Sequence, residues 1–338
     1  MLLISLLFLQ CDNFDLKAID SKPVQINDIN YVLNSNYALG DARRYGIFPD
    51  SLNDKKHPNT GKSLISSVLD LAENSPIKIN FPKGYYGVNL VFNSRKNIDL
   101  HFNEAAFDLV HITNEGGSQS RNITLEGTLI LYEGFGIYHS KNVTADSVII
   151  KLNPQKTLKE SKSRGCHIYK GTDSLLINYL EIEDLASGNI GFKNNHAALA
   201  IDGSRENPTN ITINEVYIKS SDRHGAYITG TNNIFKKIKI DKYAQGTTNF
   251  MTGMQDAGKG NEKILSALWI NRCNNCLFEN VQILTKYSKN GFPLKLDEGD
   301  SGKPTIIENL FLDVEYKDSL ILDDILTNVL VKRLKTIE

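Results

Sequence analysis

The chain has 338 residues, of which 41% are hydrophobic and 23% are charged, a composition typical of a soluble globular protein with a large core. Its 38 basic and 39 acidic residues give a net charge of −1, which argues against bulk nucleic-acid binding and against a polybasic membrane surface. We therefore expect no nucleic-acid partner.

The first ten residues, MLLISLLFLQ, are nearly all apolar and are followed by Cys11. This run is too short to span a bilayer, which takes about 20 residues, and it is typical of an export signal. A cysteine directly after it resembles a bacterial lipoprotein signal, in which Cys11 is the lipidated first residue of the mature protein. Plain secretion, a wrongly assigned start and a buried segment are the alternatives.

Either kind of signal would place the protein outside the cytoplasm, in the periplasm or at the outer membrane, or secreted. Contact with a membrane would then be made only through a lipid on Cys11. We divide the chain into a signal (1–11), a tether and leading segment (12–38) and one repeat domain (39–338).

An amphipathic helix is predicted before the repeats. Thr60 or Asn59 can cap its start, and Asn74-Ser-Pro ends it. The apolar residues at helical spacing are Leu64, Ile65, Val68, Leu69 and Leu71. IKINFP then predicts a strand and PKGYYG a turn. Such a helix would cover the open end of a solenoid, whose strands and core would otherwise face water.

From Asn89 onward the pattern is all β, with a recurring asparagine followed by an aliphatic residue. The recurrences are Asn97, Asn122, Asn142, Asn210, Asn233 and Asn328, with Asn275 as a looser copy and Ser174 in the slot before Asn210. Alternating apolar runs such as ITLEGTLIL and ITINEVYIKS follow them, which puts one face of each strand into a core. We expect each asparagine at a turn, its amide bonded to backbone or to the next asparagine. Its spacing varies, as expected for coils with loops of different length.

DARRYG (41–46), the amphipathic helix and INFPKGYYGV (79–88) together resemble the entry of the pectate-lyase-like superfamily. The resemblance implies an all-β fold, a single-stranded right-handed parallel β-helix (solenoid) with an N-terminal capping α-helix. It also implies activity on carbohydrate, although that superfamily includes lyases, hydrolases, epimerases and phage proteins.

In such a fold each coil contributes a strand just before its asparagine turn, and its last inward aliphatic residue should align with those of its neighbours. These residues are Ile112, Ile137, Ile168, Ile201, Ile228, Ile270, Leu296 and Leu322. Their neighbours on either side must point outward. The preceding residues form the outer column, namely His111, Gly136, His167, Ala200, Tyr227, Trp269 and Lys295.

The following residues form a second column, namely Thr113, Tyr138, Tyr169, Asp202, Thr229, Asn271, Asp297 and Asp323. Aromatic, histidine and carboxylate side chains dominate both columns, as is typical of sugar-binding surfaces. The longest inter-coil segments, 152–165, 184–196 and 245–265, precede these strands and are expected to form one wall of a cleft over residues 167–297.

Two reactions suit such a groove. In β-elimination from a uronic acid, a base removes the C5 proton, a cation neutralises the carboxylate, and a sugar oxygen or water leaves C4. The predicted catalytic residues are Tyr227, Lys295, His224, Arg272 and Arg223. The predicted substrate-binding residues are His167, Tyr169, His196, Asp202, Trp269, Asn271 and Asp297.

Glycoside hydrolysis is the alternative reaction, with Asp202, Asp222 and Asp297 as candidate carboxylates. The order IDG…SSD…HG faintly resembles polygalacturonase-type hydrolases, but SD stands where they have DD. A non-catalytic glycan-binding surface protein is the alternative outside the enzymes. We expect a monomeric lyase with an acidic carbohydrate substrate.

No cofactor is assigned with certainty. The resemblance leaves Ca²⁺ open, because many pectate-type lyases bind it, but no three carboxylates cluster in this sequence. Cys273 and Cys276 lack the second pair that a four-ligand zinc site needs. Buried thiols or a local disulfide are the expected states of the cysteines.

Overall fold

A computed structural model describes most of the chain after its N-terminal segment. The described residues are 27–115, 117–157, 163–183, 197–203, 205–245, 265–285, 291–299, 304–313, 321–323 and 327–337. Over these ranges the chain is all-β, its strands are mostly parallel, and one α-helix precedes the long strands. The prediction of an all-β parallel architecture is confirmed at this level. No helix in the described ranges has both the length and the apolar character needed to cross a bilayer.

The predicted helix forms as α1 (Leu64–Asn74) and buries the five apolar side chains listed for it above. Its N-cap differs from the prediction, because the Ser63 hydroxyl accepts the Ser66 N–H at 3.1 Å. The Thr60 hydroxyl instead contacts Ser67 Oγ at 2.6 Å. Asn59, Thr60 and Ser63 are all of residue types preferred at an N-cap, so composition alone could not select the one that caps.

Among the described residues a single 3₁₀ turn, Ala42–Tyr45, precedes the helix, and nineteen strands follow the helix. The strands are β1 (Ile79–Phe81), β2 (Gly84–Tyr85), β3 (Leu90–Asn93), β4 (Lys96–Thr113), β5 (Ser120–Ile137), β6 (Ser140–Ile150), β7 (Cys166–Tyr169), β8 (Asp173–Glu183), β9 (Ala197–Asp202), β10 (Thr209–Ser220), β11 (His224–Thr231), β12 (Ile234–Ile240), β13 (Leu265–Asn274), β14 (Leu277–Ile283), β15 (Gly291–Leu296), β16 (Thr305–Leu312), β17 (Ile321–Asp323), β18 (Val329–Val331) and β19 (Leu334–Thr336).

The strands pair in two parallel ladders. One ladder runs through β4, β5, β6, β8, β10, β12, β14 and β16. The other, which we call the second ladder, runs through β3, β4, β5, β7, β9, β11, β13, β15 and β17. The long strands β4 and β5 belong to both ladders, and after them the chain alternates between the two. Successive segments therefore stack on one another, and the apolar faces of both ladders enclose the core.

The two ladders also touch within one round of the chain, because Thr209 on β10 pairs with Thr231 on β11. The pairings thereby close a circuit of seven strands, β5–β6–β8–β10–β11–β9–β7, which gives the sheet a barrel-like closure. Strand periodicity did not predict this closure, since it depends on a contact at a corner rather than on the strands' alternation.

The inward aliphatic column is confirmed from Ile112 to Leu296, because each member pairs with the next across the second ladder. The last member was wrong. Leu296 pairs with Asp323, and Leu322 pairs with Lys295. Ile321 and Leu322 are both aliphatic, so alternation could not decide between the two registers.

The asparagine ladder also forms as predicted. Nδ2 of Asn122 donates to Oδ1 of Asn97 at 2.8 Å, and Nδ2 of Asn142 donates to Oδ1 of Asn122 at 3.1 Å. A second run joins Asn210, Asn232 and Asn275 by contacts of 3.3 and 2.7 Å. The ladder positions Asn97, Asn122, Asn142, Ser174, Asn210, Asn232 and Asn275 have φ between 54° and 59°. Asparagine tolerates this left-handed conformation better than most residues do.

Two ladder positions differ from the prediction. Asn328 has no positive φ, and its Nδ2 donates to Asn274 Oδ1 at 3.0 Å rather than to Asn275. The other position was assigned one residue too late. Asn232, not Asn233, lies in the left-handed conformation and joins the ladder. Asn233 is fully buried instead, where its Nδ2 donates to the Thr229 carbonyl and its Oδ1 accepts the Ile211 N–H, both at 3.0 Å. It satisfies backbone groups inside the turn that would otherwise be unpaired.

Cys273 and Cys276 form a local disulfide and both are buried, which confirms one of the two expected states. Cys166 is a buried free thiol, and burial raises its pKa, so it lacks the exposed thiolate of a reactive cysteine.

Asn122→Ala should destabilise the protein by about 1–3 kcal/mol, because it removes two ladder hydrogen bonds and places alanine at a positive φ. Asn122→Gly should cost about 1 kcal/mol less than Asn122→Ala, since glycine accepts that φ. Urea unfolding measures both, with Thr124→Ala on the same strand as the control. Equal losses for the alanine and glycine variants would contradict a contribution from backbone conformation.

Candidate functional site

The outer column is confirmed as a line of adjacent residues on the second ladder. Each of its members, from His111 through Gly136, His167, Ala200, Tyr227 and Trp269 to Lys295, pairs with the next. Strands lie about 4.8 Å apart, so the six steps of this column span about 29 Å.

A cleft of about 340 Å³ opens at the first positions of this column. Its floor and walls include His111, Gly136 and His167 from the outer column, and Thr113, Tyr138 and Tyr169 from the second column. Glu115 and Arg164 lie at its margin and are exposed. The cleft therefore lies on the predicted face, but it is centred nearer the N-terminus than the expected span of 167–297.

Two tyrosines form an aromatic wall of this cleft. The rings of Tyr138 and Tyr169 stack with their centroids 5.5 Å apart and their planes 18° apart. The His167 ring lies 4.8 Å from that of Tyr169. Both tyrosines are half-buried, so each has one part fixed by packing and another exposed to the cleft. Such half-exposed rings suit the apolar C–H face of a sugar.

The surroundings of His111 in this cleft displace the pKa of its imidazole. Burial lowers the pKa of its imidazole, nearby Arg164 lowers it further, and Glu115 opposes the shift. The imidazole is therefore uncharged at neutral pH and has a lone pair available to accept a proton. A guanidinium and an uncharged imidazole thus border the same cleft.

Farther along the column the side chains form an apolar cluster of Ala197, Ala200, Tyr227 and Trp269, separate from the main core. The outward direction predicted for Tyr227 and Trp269 is thus confirmed, but their exposed fractions are only 3% and 4%. Their rings contact edge to face at 4.5 Å. The Tyr227 hydroxyl accepts a hydrogen bond from Asn271 Nδ2 at 2.9 Å. In this structure both side chains are packed rather than open to a ligand.

Trp269 is held by charged neighbours on the next strand. Its Nε1 donates to Asp297 Oδ2 at 2.7 Å, and Lys295 Nζ lies 3.7 Å from the centroid of its ring. Lys295 Nζ is also 3.7 Å from Asp297 Oδ2. Lys295 is thus engaged in a cation–π contact and an ion pair, with a small exposed fraction facing outward.

His224 and Arg223 were expected at the rim of the groove, and both are buried instead. Nδ1 of His224 accepts the Ser266 N–H at 2.9 Å, so an uncharged His224 must carry its proton on Nε2. That nitrogen can donate a hydrogen bond but has no lone pair for a general base. Asp222 beside them is buried as well.

The remaining predicted residues are placed differently from one another. Arg272 is exposed, and its Nε donates to Glu298 Oε1 at 2.6 Å. Asp202 is half-buried and pairs in register with Tyr169, beside the cleft. Cys11, His196 and the segment 184–196 lie outside the described residues, as does most of the segment 245–265.

Three residues of the cleft were not selected from the sequence. His111 and Tyr138 belong to the predicted columns, but they were not predicted as site residues, because the densest group of charged residues lies after residue 200. Arg164 lies in the segment 152–165, which was expected to line a cleft. Following both columns to their first members would have identified the two ring residues.

No group of three or more His, Cys, Asp or Glu side chains suited to a metal ion occurs in the part of the chain that the structure describes. The described residues therefore offer no candidate ligand set for Ca²⁺.

Searches of family models, curated proteins and solved structures yielded no match to this chain.

Asp297→Ala should destabilise the protein by about 1–3 kcal/mol, because it leaves the buried Trp269 N–H without its acceptor. Asp297→Asn should cost less, since its amide oxygen can still accept that bond. Chemical unfolding followed by fluorescence of Trp269, the single tryptophan of the chain, measures both effects. Glu298→Ala removes only an exposed ion pair, and we expect it to cost under about 1 kcal/mol. An equal loss for Asp297→Ala and Glu298→Ala would contradict the prediction.

Proposed function

We propose that the protein is a carbohydrate lyase that cleaves uronic-acid-containing poly- or oligosaccharides by β-elimination in the cleft at His111 and His167. The observation that carries this proposal is the meeting of an uncharged imidazole, a guanidinium and a stacked tyrosine pair in one cleft. β-Elimination requires a base, a counter-charge for the carboxylate and a surface that orients the sugar.

We further propose that the chain is wound as a right-handed parallel β-helix. The support is that residues on each strand pair in register with residues one round later, in two ladders that the chain visits alternately. The right hand is the one expected for parallel strands joined through a crossover. The asparagine ladder at one corner is consistent with repeated turns of the same geometry.

In this mechanism His111 is the base. It removes the proton from C5, the electrons of that bond form the C4–C5 double bond, and the bond between C4 and its oxygen breaks. The lowered pKa of His111 keeps the imidazole uncharged and ready to accept the proton at neutral pH.

Arg164 pairs with the substrate carboxylate, which makes the C5 proton more acidic by stabilising the negative charge that develops next to it. The Tyr138 ring supports the sugar face, and the Tyr169 hydroxyl donates a proton to the departing oxygen. His167 hydrogen-bonds to sugar hydroxyls. His167 keeps the substrate-binding role predicted from the sequence, whereas Tyr169 takes a catalytic role in place of the binding role predicted for it.

The substrate extends from the cleft toward Asp202 on the neighbouring strand β9. Asp202 lies beside Tyr169 in register and can bind a sugar hydroxyl. Beyond Asp202 the outer column continues through the buried side chains of Tyr227 and Trp269, so the surface open to sugars ends there. We propose that the sugars next to the scissile bond are contacted between His111 and Asp202, and that a single protomer is sufficient to bind them.

Hydrolysis receives less support at this cleft. Among its described lining residues Glu115 is the only carboxylate, whereas the usual mechanism needs two across the scissile bond. Hydrolysis and simple binding are therefore outcomes of the test rather than parallel proposals.

Incubation with a panel of acidic glycans should produce the ultraviolet absorbance of an unsaturated uronate. Reducing ends without that absorbance would indicate hydrolysis instead. If no glycan of the panel gives either signal, both reactions are ruled out. His111→Ala and Arg164→Ala should each lower kcat/KM by about 100-fold or more, since each removes a group required in the transition state.

Tyr227→Phe and Lys295→Ala test where on the outer column the reaction takes place, because both residues lie toward its buried end. We expect them to lower activity less than the two cleft variants do. The reverse order would move the reacting centre to the residues first selected from the sequence.

We also propose that the protein is exported and anchored through a lipid on Cys11. The support is the apolar decapeptide directly before that cysteine. Metabolic labelling with a fatty acid should mark the wild type but not Cys11→Ser, which should leave the membrane fraction. Labelling of both proteins, or of neither, would contradict the anchor.

A further inference from the structure

Gly136 lies between the two histidines of the cleft on the outer column. It pairs with His111 on one side and with His167 on the other. A Cβ added to Gly136 would come within 3.1 Å of Cδ2 and 3.7 Å of Nε2 of His111. The His111 imidazole therefore lies across Gly136, in the space that a side chain would occupy.

Backbone conformation does not explain a glycine at this position. Gly136 is absent from the positive-φ glycines, so an L-residue could adopt its backbone angles. Gly134, two residues earlier, differs in this respect because its φ is 138°. What Gly136 contributes is space next to the His111 ring.

We infer that Gly136 is a positioning residue that lets the His111 imidazole lie across the cleft floor with its Nε2 directed toward the substrate. This inference deepens the proposed function, because it explains how one histidine of the column becomes the base. It also predicts that the sugar ring fits above position 136 only when that residue has no side chain, because a side chain there would raise the cleft floor.

The surroundings of His111 show what a displaced ring would meet. On the preceding strand its partner is Val91, which is uncharged, and on the following strands its neighbours are Gly136 and His167. Glu115 and Arg164 are the charged groups that act on its titration. A ring forced away from Gly136 moves out toward solvent, so its pKa should rise toward the ordinary histidine value.

Gly136→Ala tests the inference, with Gly61→Ala as a control remote from the cleft: nothing lies within 4 Å of a Cβ added at exposed Gly61, and its φ of 71° means that alanine there costs stability without touching the His111 ring. Two measurements are made on the full chain. One is the titration of the His111 Cε1–H by NMR, assigned with His111→Ala. The other is kcat/KM against pH on the uronate substrate, in wild-type and His111→Ala backgrounds.

We expect Gly136→Ala to raise the His111 pKa and to lower kcat/KM about 10-fold, with the acidic limb of the pH profile moved to higher pH. The sign follows because the base must be uncharged, so activity is lost as pH falls through its pKa. In the His111→Ala background Gly136→Ala should have no further effect on activity, because the two residues act through one group. Gly61→Ala should change neither measurement.

The outcomes separate this inference from the proposed reaction. An active wild type with an unchanged titration and unchanged activity in Gly136→Ala would overturn the positioning role and leave the lyase intact. An equal activity loss in both backgrounds would also overturn it, since that is the mark of a merely structural role. A shifted titration in a wild type that produces no unsaturated product would support the positioning of His111 and reject β-elimination.

Discussion

The hydrogen-bonded register between parallel strands is the constraint on which the rest of this structure depends. It fixes residues from distant parts of the sequence about 4.8 Å apart and gives them a common direction. Ile201, Ile228 and Ile270 meet in the core for this reason. For the same reason His111, Gly136 and His167 meet on the outer face. The core and the candidate site are thus two sides of one alignment.

Alternation along the strands was sufficient to predict that alignment, because inward positions must be aliphatic and their neighbours must face outward. It failed where two registers were equally apolar, at Ile321 and Leu322, and where two asparagines were adjacent, at Asn232 and Asn233. In both cases the register depends on pairing with the neighbouring strand, which the local sequence does not determine.

The direction of a side chain could be predicted, but what covers it could not. Tyr227 and Trp269 point away from the main core as expected, yet they are buried against each other. His224 has a lone pair committed to Ser266, a contact between two strands that are far apart in sequence. Arg272 forms an ion pair with Glu298 just beyond the next strand. Burial and pairing of this kind depend on tertiary packing, so a dense run of charges was a poor guide to the open part of the face.

The pairing of Ile228 with Ile270 spans a much longer stretch of chain than that of Ile270 with Leu296, yet both pairs hold the same register. Lengthening a connection costs little conformational entropy once its ends are fixed by the sheet. Insertions at the corners can therefore accumulate without shifting the face that binds a ligand. Specificity and scaffold can evolve separately in such a chain, and segments exchanged at these corners offer a route to redesign it.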